Sequence, residues 1–124
     1  MSDVASLQQR LNNHLMRWDG DIKEFDKAIS EYGERKADLE YKRAYLKEVA
    51  KSENPKLSGV ALDQIADANE AVWRLHKLYR QAESNIEAFR ARLKWCQAVS
   101  DALRTEISSE RSNSQMYADH PASA

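Results

Sequence analysis

Basic and aromatic side chains alternate at two places along these 124 residues. Arg35, Lys36, Lys42, Arg43 and Lys47 interleave with Tyr41 and Tyr45, while Arg90, Arg92 and Lys94 run into Trp95. Cations hold phosphates and flat rings stack on bases, so this pairing has the chemistry of nucleic-acid binding. Aromatic and arginine side chains are equally the usual anchors of a protein interface. Tyr41, Arg43, Tyr45, Arg90, Arg92, Lys94 and Trp95 are therefore the candidate partner or DNA contacts.

Other chemistry finds no support in the sequence. Gly20, Gly33 and Gly59 are isolated and form no phosphate loop, and there is no G-x-S-x-G elbow. His14, His76 and His120 are far apart, and none belongs to an H-E-x-x-H or E-x-x-H pattern. Glu83 and Glu87 share a helix face but lack a histidine partner, which makes that face a solvated one. Cys96 is the single cysteine, so it forms no internal disulfide and no cysteine-based zinc site, and it reads as a small buried apolar residue in a reducing compartment. The expectation is a protein without catalytic residues, cofactor or metal.

Two helices must position the candidate contacts. Val4, Leu7, Leu11, Leu15, Trp18, Ile22, Phe25, Ile29, Tyr32, Leu39 and Leu46 recur at mostly three- and four-residue spacing, predicting helix 1 over about 3–52. The four-residue step from Trp18 to Ile22, beside Asp19-Gly20-Asp21, admits a kink at 19–21 with residues 3–18 as a separate arm. Pro55 ends helix 1 and predicts a turn over 53–58. Ser58 is an N-cap, with Leu57 placed to staple onto Leu62. Leu62, Ile65, Val72, His76, Tyr79, Ile86, Phe89, Leu93, Cys96, Val99, Leu103 and Ile107 then predict helix 2 over about 59–110. Residues 112–124 read as a flexible tail. The fold class is all-α, a long antiparallel, coiled-coil-like helical hairpin over 1–111.

Charge supports the antiparallel pairing independently. A turn near residue 56 places residue i opposite roughly 112 minus i. Residues 19–34 carry six acids and two bases, and the facing stretch 74–94 carries six bases and two acids. Residues 35–51 carry six bases and three acids, facing three acids in 60–73. The match makes the basic stretches answer internal acids before they answer phosphate. The register also places Lys36 near His76 and Arg43 near Asn69, as polar layers in the seam. Trp18, Trp73, Trp95, Phe25, Phe89, the five tyrosines, Leu75, Leu78 and Ala82 widen the apolar faces beyond one seam, which predicts a homodimer forming a four-helix bundle.

Charged residues make up 31% and hydrophobic residues 42% of a chain with net charge -1, which offers no global attraction to nucleic acid or anionic lipid. No run of 18 apolar residues exists and the start lacks a signal peptide's order, so a soluble, cytoplasmic protein is expected. The opening Met1-Ser2-Asp3-Val4-Ala5-Ser6-Leu7-Gln8-Gln9 with Leu15-Met16-Arg17-Trp18 resembles small helical proteins of tailed bacteriophages. So does Phe89-Arg90-Ala91-Arg92-Leu93-Lys94-Trp95 leading to Ala102-Leu103-Arg104-Thr105-Glu106. The similar proteins are encoded in early regions, among recombination and replication genes of phages of actinobacteria and related hosts. The resemblance implies action in the infected host's cytoplasm and carries over no catalytic residue. The expected function is binding of a host or phage protein involved in DNA metabolism or defence. The alternatives are accessory nucleic-acid binding and a structural or assembly role.

Overall fold

The computed structural model describes residues 3–119. It is an all-α helical hairpin of α1 (Val4–Glu53), α2 (Gly59–Ala68) and α3 (Glu70–Asp119), with no strand among the described residues. Asp3 caps α1 by accepting the Ser6 amide at 2.6 Å. At the other end the Asn54 side chain accepts the Lys56 amide at 3.2 Å, and the Asn54 carbonyl accepts from Leu57 at 3.1 Å. Ser58 caps α2 through the Ala61 amide at 3.1 Å, as its type and position predict.

Helix 2 is not continuous. Ala66 and Val72 are both buried, yet six residues of regular helix turn about 600°, which leaves the second about 120° away from the first. Asn69 absorbs the difference by leaving helical geometry (φ -74, ψ 132). Its side-chain oxygen accepts the amides of Ala71 at 2.9 Å and Val72 at 3.4 Å, so α3 starts capped. The single stripe from Leu62 through Ile65 to Val72 is thereby corrected: Ala66 enters the seam and Ile65 is exposed.

α1 is helical through 19–21, so no break sets residues 3–18 apart as a separate helix. The seam takes His14 in place of Leu15 and Asp21 in place of Ile22, so fours alternate with threes from Leu7 to Phe25. α3 also stays helical through 112–119, where a tail was expected, and the rest of that tail lies outside the described residues.

The chain divides into two compact units, unit 1 (Met1–Glu24 with Phe89–Ala124) and unit 2 (Phe25–Ala88). In unit 1 the seam takes Leu7, Leu11, His14, Trp18 and Asp21 from α1, and Phe89, Leu93, Cys96, Ser100, Leu103 and Ile107 from α3. Leu7, Leu11, Leu103 and Ile107 form its core cluster, with Val4, Leu15 and Val99 packed against them. In unit 2 the buried residues are Ala50, Ala66, Val72, Ala82 and Ile86, four of which are no larger than valine. Phe25, Ala28, Tyr32, Arg35, Leu39 and Leu46 are half-buried along α1. Ile29, expected in the stripe, is displaced by Ala28 and left 46% exposed.

Candidate functional site

In unit 2 the basic stretch of α1 meets the acids of α2. Arg43 Nε lies 3.0 Å from Asp67 Oδ1, close in distance but outside hydrogen-bond geometry, while its Nη2 donates to Asp67 Oδ2 at 3.5 Å. Arg43 also lies 3.8 Å from Asp63, and Lys47 pairs with Asp63. The Lys47 hydrogen bond and charge hold the Asp63 carboxyl below its usual pKa. Arg43 therefore answers acids within the hairpin. Its neighbours Tyr41 and Tyr45 are exposed, since two residues of helix turn about 200° and put them on another face. The three candidate contacts of α1 do not form one patch.

Unit 2 also contains a cleft of about 520 Å³, lined by Lys36, Leu39, Glu40, Arg43, Asp67, Val72, Trp73, His76 and Tyr79. Lys36 and His76, expected as a polar layer in the seam, are both exposed and line this cleft instead. Trp73 follows the restart at Asn69, is 56% exposed, and carries the Lys77 ammonium 4.3 Å from its ring centre. Lys42 sits in the same way 5.6 Å from the Tyr45 ring. Inside the unit the Tyr32 and Tyr79 hydroxyls hydrogen-bond at 3.1 Å. That bond, reinforced by burial, pushes Tyr79 up to about 12.

In unit 1 the polar seam residues converge. His14 is buried and its Nε2 donates to the Cys96 carbonyl at 2.7 Å, which fixes the proton on that nitrogen. Trp18 and Trp95 pack on the imidazole, with centroids 6.2 and 5.9 Å away, the latter edge-on. The Cys96 thiol donates to Asp21 Oδ2 at 3.6 Å, and Arg92 pairs with Asp21 Oδ1 at 3.5 Å. Burial first, then the bond to Asp21, raises the thiol pKa, so Cys96 is the inert buried residue its context predicts. Arg92 and Trp95 line a cleft of about 490 Å³ with His14, Arg17, Asp21 and Glu24. Trp95 is 61% exposed, and Arg90 and Lys94 are exposed on neighbouring positions.

Sequence reasoning singled out Trp95 and Arg92 together, and the structure brings them to one cleft. It missed Trp73 as a surface residue, because the phase reset at Asn69 had not been recognised. It also missed His14, whose spacing of three from Leu11 was overlooked in favour of Leu15. Among the described residues no group of His, Cys, Asp and Glu is arranged to hold a metal ion, and no helix is long and apolar enough to cross a membrane. No protein-family model, curated protein or solved structure matches the chain.

Proposed function

We propose that this chain is a non-catalytic, phage-type interaction protein of the host cytoplasm, which binds a host or phage protein of DNA metabolism or defence. The observation that carries the reading is the exposure of its large aromatic side chains. Trp73 and Tyr41 stand outside the seam, Trp95 remains 61% exposed although its edge meets His14, and Tyr41 is 74% exposed. Such side chains bury large areas at little entropic cost when a partner covers them, which makes them energetic anchors. Arg92 and Trp95 supply an anchor pair in unit 1, and Trp73 supplies one in unit 2.

Affinity capture with the wild-type chain and with Trp95→Ala and Trp73→Ala variants tests the reading. A partner retained by wild type and lost with one variant supports it. Wild-type and variant eluates of identical composition oppose it.

Accessory nucleic-acid binding is the second reading, favoured by the two lysine–aromatic pairs. Lys42 and Lys77 stand over Tyr45 and Trp73 and have no carboxylate partner among the described residues. A salt-dependent polarisation titration with single-stranded and duplex DNA tests it, and absence of binding at about 50 mM salt removes it.

A further inference from the structure

Gly33 has no explanation within its own unit. It lies inside α1, no glycine has positive φ, and an added methyl group would meet nothing within 4 Å. A helical glycine costs about 1 kcal/mol relative to alanine, so an isolated chain would be more stable with alanine there. A bare backbone on an open helix face instead favours close approach from outside. Its neighbours on that face are Ile29, four residues before, and Lys36, three after. Ile29 is half exposed, and Lys36 continues the face into the cleft beside Trp73 and His76.

Charge on the same unit points to what approaches. Lys36 and Lys77 have no carboxylate partner among the described residues. Asp26 and Glu34 likewise have no cationic partner among the described residues, and they line a shallow depression along α1 with Lys27, Ser30 and Glu31, the last paired with Arg35. Unit 2 thus carries two cations, Lys36 and Lys77, and two carboxylates, Asp26 and Glu34, that find no partner of opposite charge among the described residues. A second copy running antiparallel answers both pairs, because each copy offers its carboxylates to the other's lysines. With the crossing at Gly33, Lys36 of one copy is level with Ser30 of the other, about one helical turn from Asp26.

We propose that a second copy of this chain docks antiparallel on unit 2, with its α1 crossing at Gly33, its Ile29 beside the crossing and its Asp26 and Glu34 toward Lys36 and Lys77. The contact is isologous, the same patch on both copies, and so closes as a dimer. It rests on the reading of the chain as an interaction protein and makes a second copy the occupant of the unit 2 surface.

Sedimentation velocity and light scattering of the full chain test this. The expected result is a micromolar dimer whose Kd rises tenfold or more between about 0.05 and 0.5 M salt. Gly33→Leu should give a monomer of unchanged helicity by circular dichroism. Gly33→Ala should melt higher as a monomer yet dimerise more weakly. Lys36→Glu and Asp26→Lys should each weaken the dimer about tenfold, and an equimolar mixture should restore it as a heterodimer. A chain that stays monomeric at low salt overturns the proposal, and so does a dimer indifferent to Gly33→Leu and to both charge reversals. A monomer whose DNA binding is lost with Lys36→Glu overturns it in favour of nucleic acid at that surface. A monomer that still captures a partner through Trp95 defeats this inference alone, whereas a dimer that captures nothing defeats only the partner reading.

Discussion

The two units solve the same packing problem with different residues. Unit 1 buries long aliphatic side chains, Leu7, Leu11, Leu103 and Ile107, as one cluster, and ties its helices with the His14–Cys96 bond. Unit 2 buries mainly alanine and valine, and adds a phenol pair and the Arg43, Lys47, Asp63 and Asp67 ion pairs. Large apolar side chains supply about 1.5–3 kcal/mol each on burial, whereas partly exposed ion pairs contribute about 0–1 kcal/mol. Unit 1 is therefore held from within. Unit 2 only half-buries Phe25, Tyr32, Leu39 and Leu46, and leaves Ile29, Tyr41, Tyr45, Ile65, Trp73 and Leu78 at its surface.

The comparison breaks most visibly if core truncations cost the same in both units. Ile107→Ala in unit 1 should destabilise the chain toward the upper end of about 2–5 kcal/mol in denaturant unfolding, and Ile86→Ala in unit 2, which removes the same atoms from an equally buried site, toward the lower end. Equal losses would mean that unit 2 depends as heavily on its apolar seam. The next effect sharpens the contrast at the joint that only unit 2 contains. Asn69→Ala removes the α3 cap and should cost about 1 kcal/mol, read from the same unfolding curves. An unchanged midpoint would show that the phase reset does not need the cap.

Ser100 gives a smaller effect of opposite sign. It is 0% exposed and its hydroxyl has no hydrogen-bond partner. Ser100→Ala should therefore stabilise unit 1 by up to about 1 kcal/mol, because a buried unpaired hydroxyl keeps its desolvation cost. A lower melting temperature for this variant would argue that the hydroxyl is satisfied.

The pH dependence of unit 2 follows from two groups with opposite signs. Tyr79 titrates near 12 in the folded chain, above the ordinary tyrosine value, so the unfolded chain loses that proton first. Its contribution is complete below about pH 10 and is lost as pH rises toward about 12. Tyr32→Phe should lower the Tyr79 midpoint, read as phenolate absorbance, and an unmoved midpoint would deny the hydroxyl pair its role. Asp63 is depressed instead, so its contribution is present above the usual carboxylate range and lost as pH falls through the folded value. Lys47→Met should raise the Asp63 midpoint in a proton-detected titration while changing stability least of all these variants.

The architecture was legible because it depends on patterns that repeat. The stripe, Pro55, Ser58 and the sign-matched charge blocks each bear on the same hairpin, and several observed partners fall within about two positions of the register those blocks imply. His14 with Cys96, Asp21 with Arg92 and Tyr32 with Tyr79 are examples. Choices between adjacent positions were not legible. Ile22 and Ile29 compete with Asp21 and Ala28 for the seam, and the more apolar residue loses both times because the three-four alternation must be kept along a long helix, while Leu15 packs at the edge of the core with His14 in the seam. The same phase constraint hid the break at Asn69, since Ile65 imitated a seam residue that the structure assigns to Ala66. The candidate site was legible in residue type but not in grouping. Arg43 turned to its acids, while Trp73 emerged only with the reset.

Asn69 gives the chain an uneven tolerance to changes of length. One residue inserted into the middle of α1 rotates everything beyond it by about 100°, which moves an entire seam away from its partner. One residue added beside Asn69 meets a joint that is already non-helical, where a changed backbone torsion can take up the added rotation. Length variation should therefore accumulate at residues 68–70 and be purged from the body of either long helix.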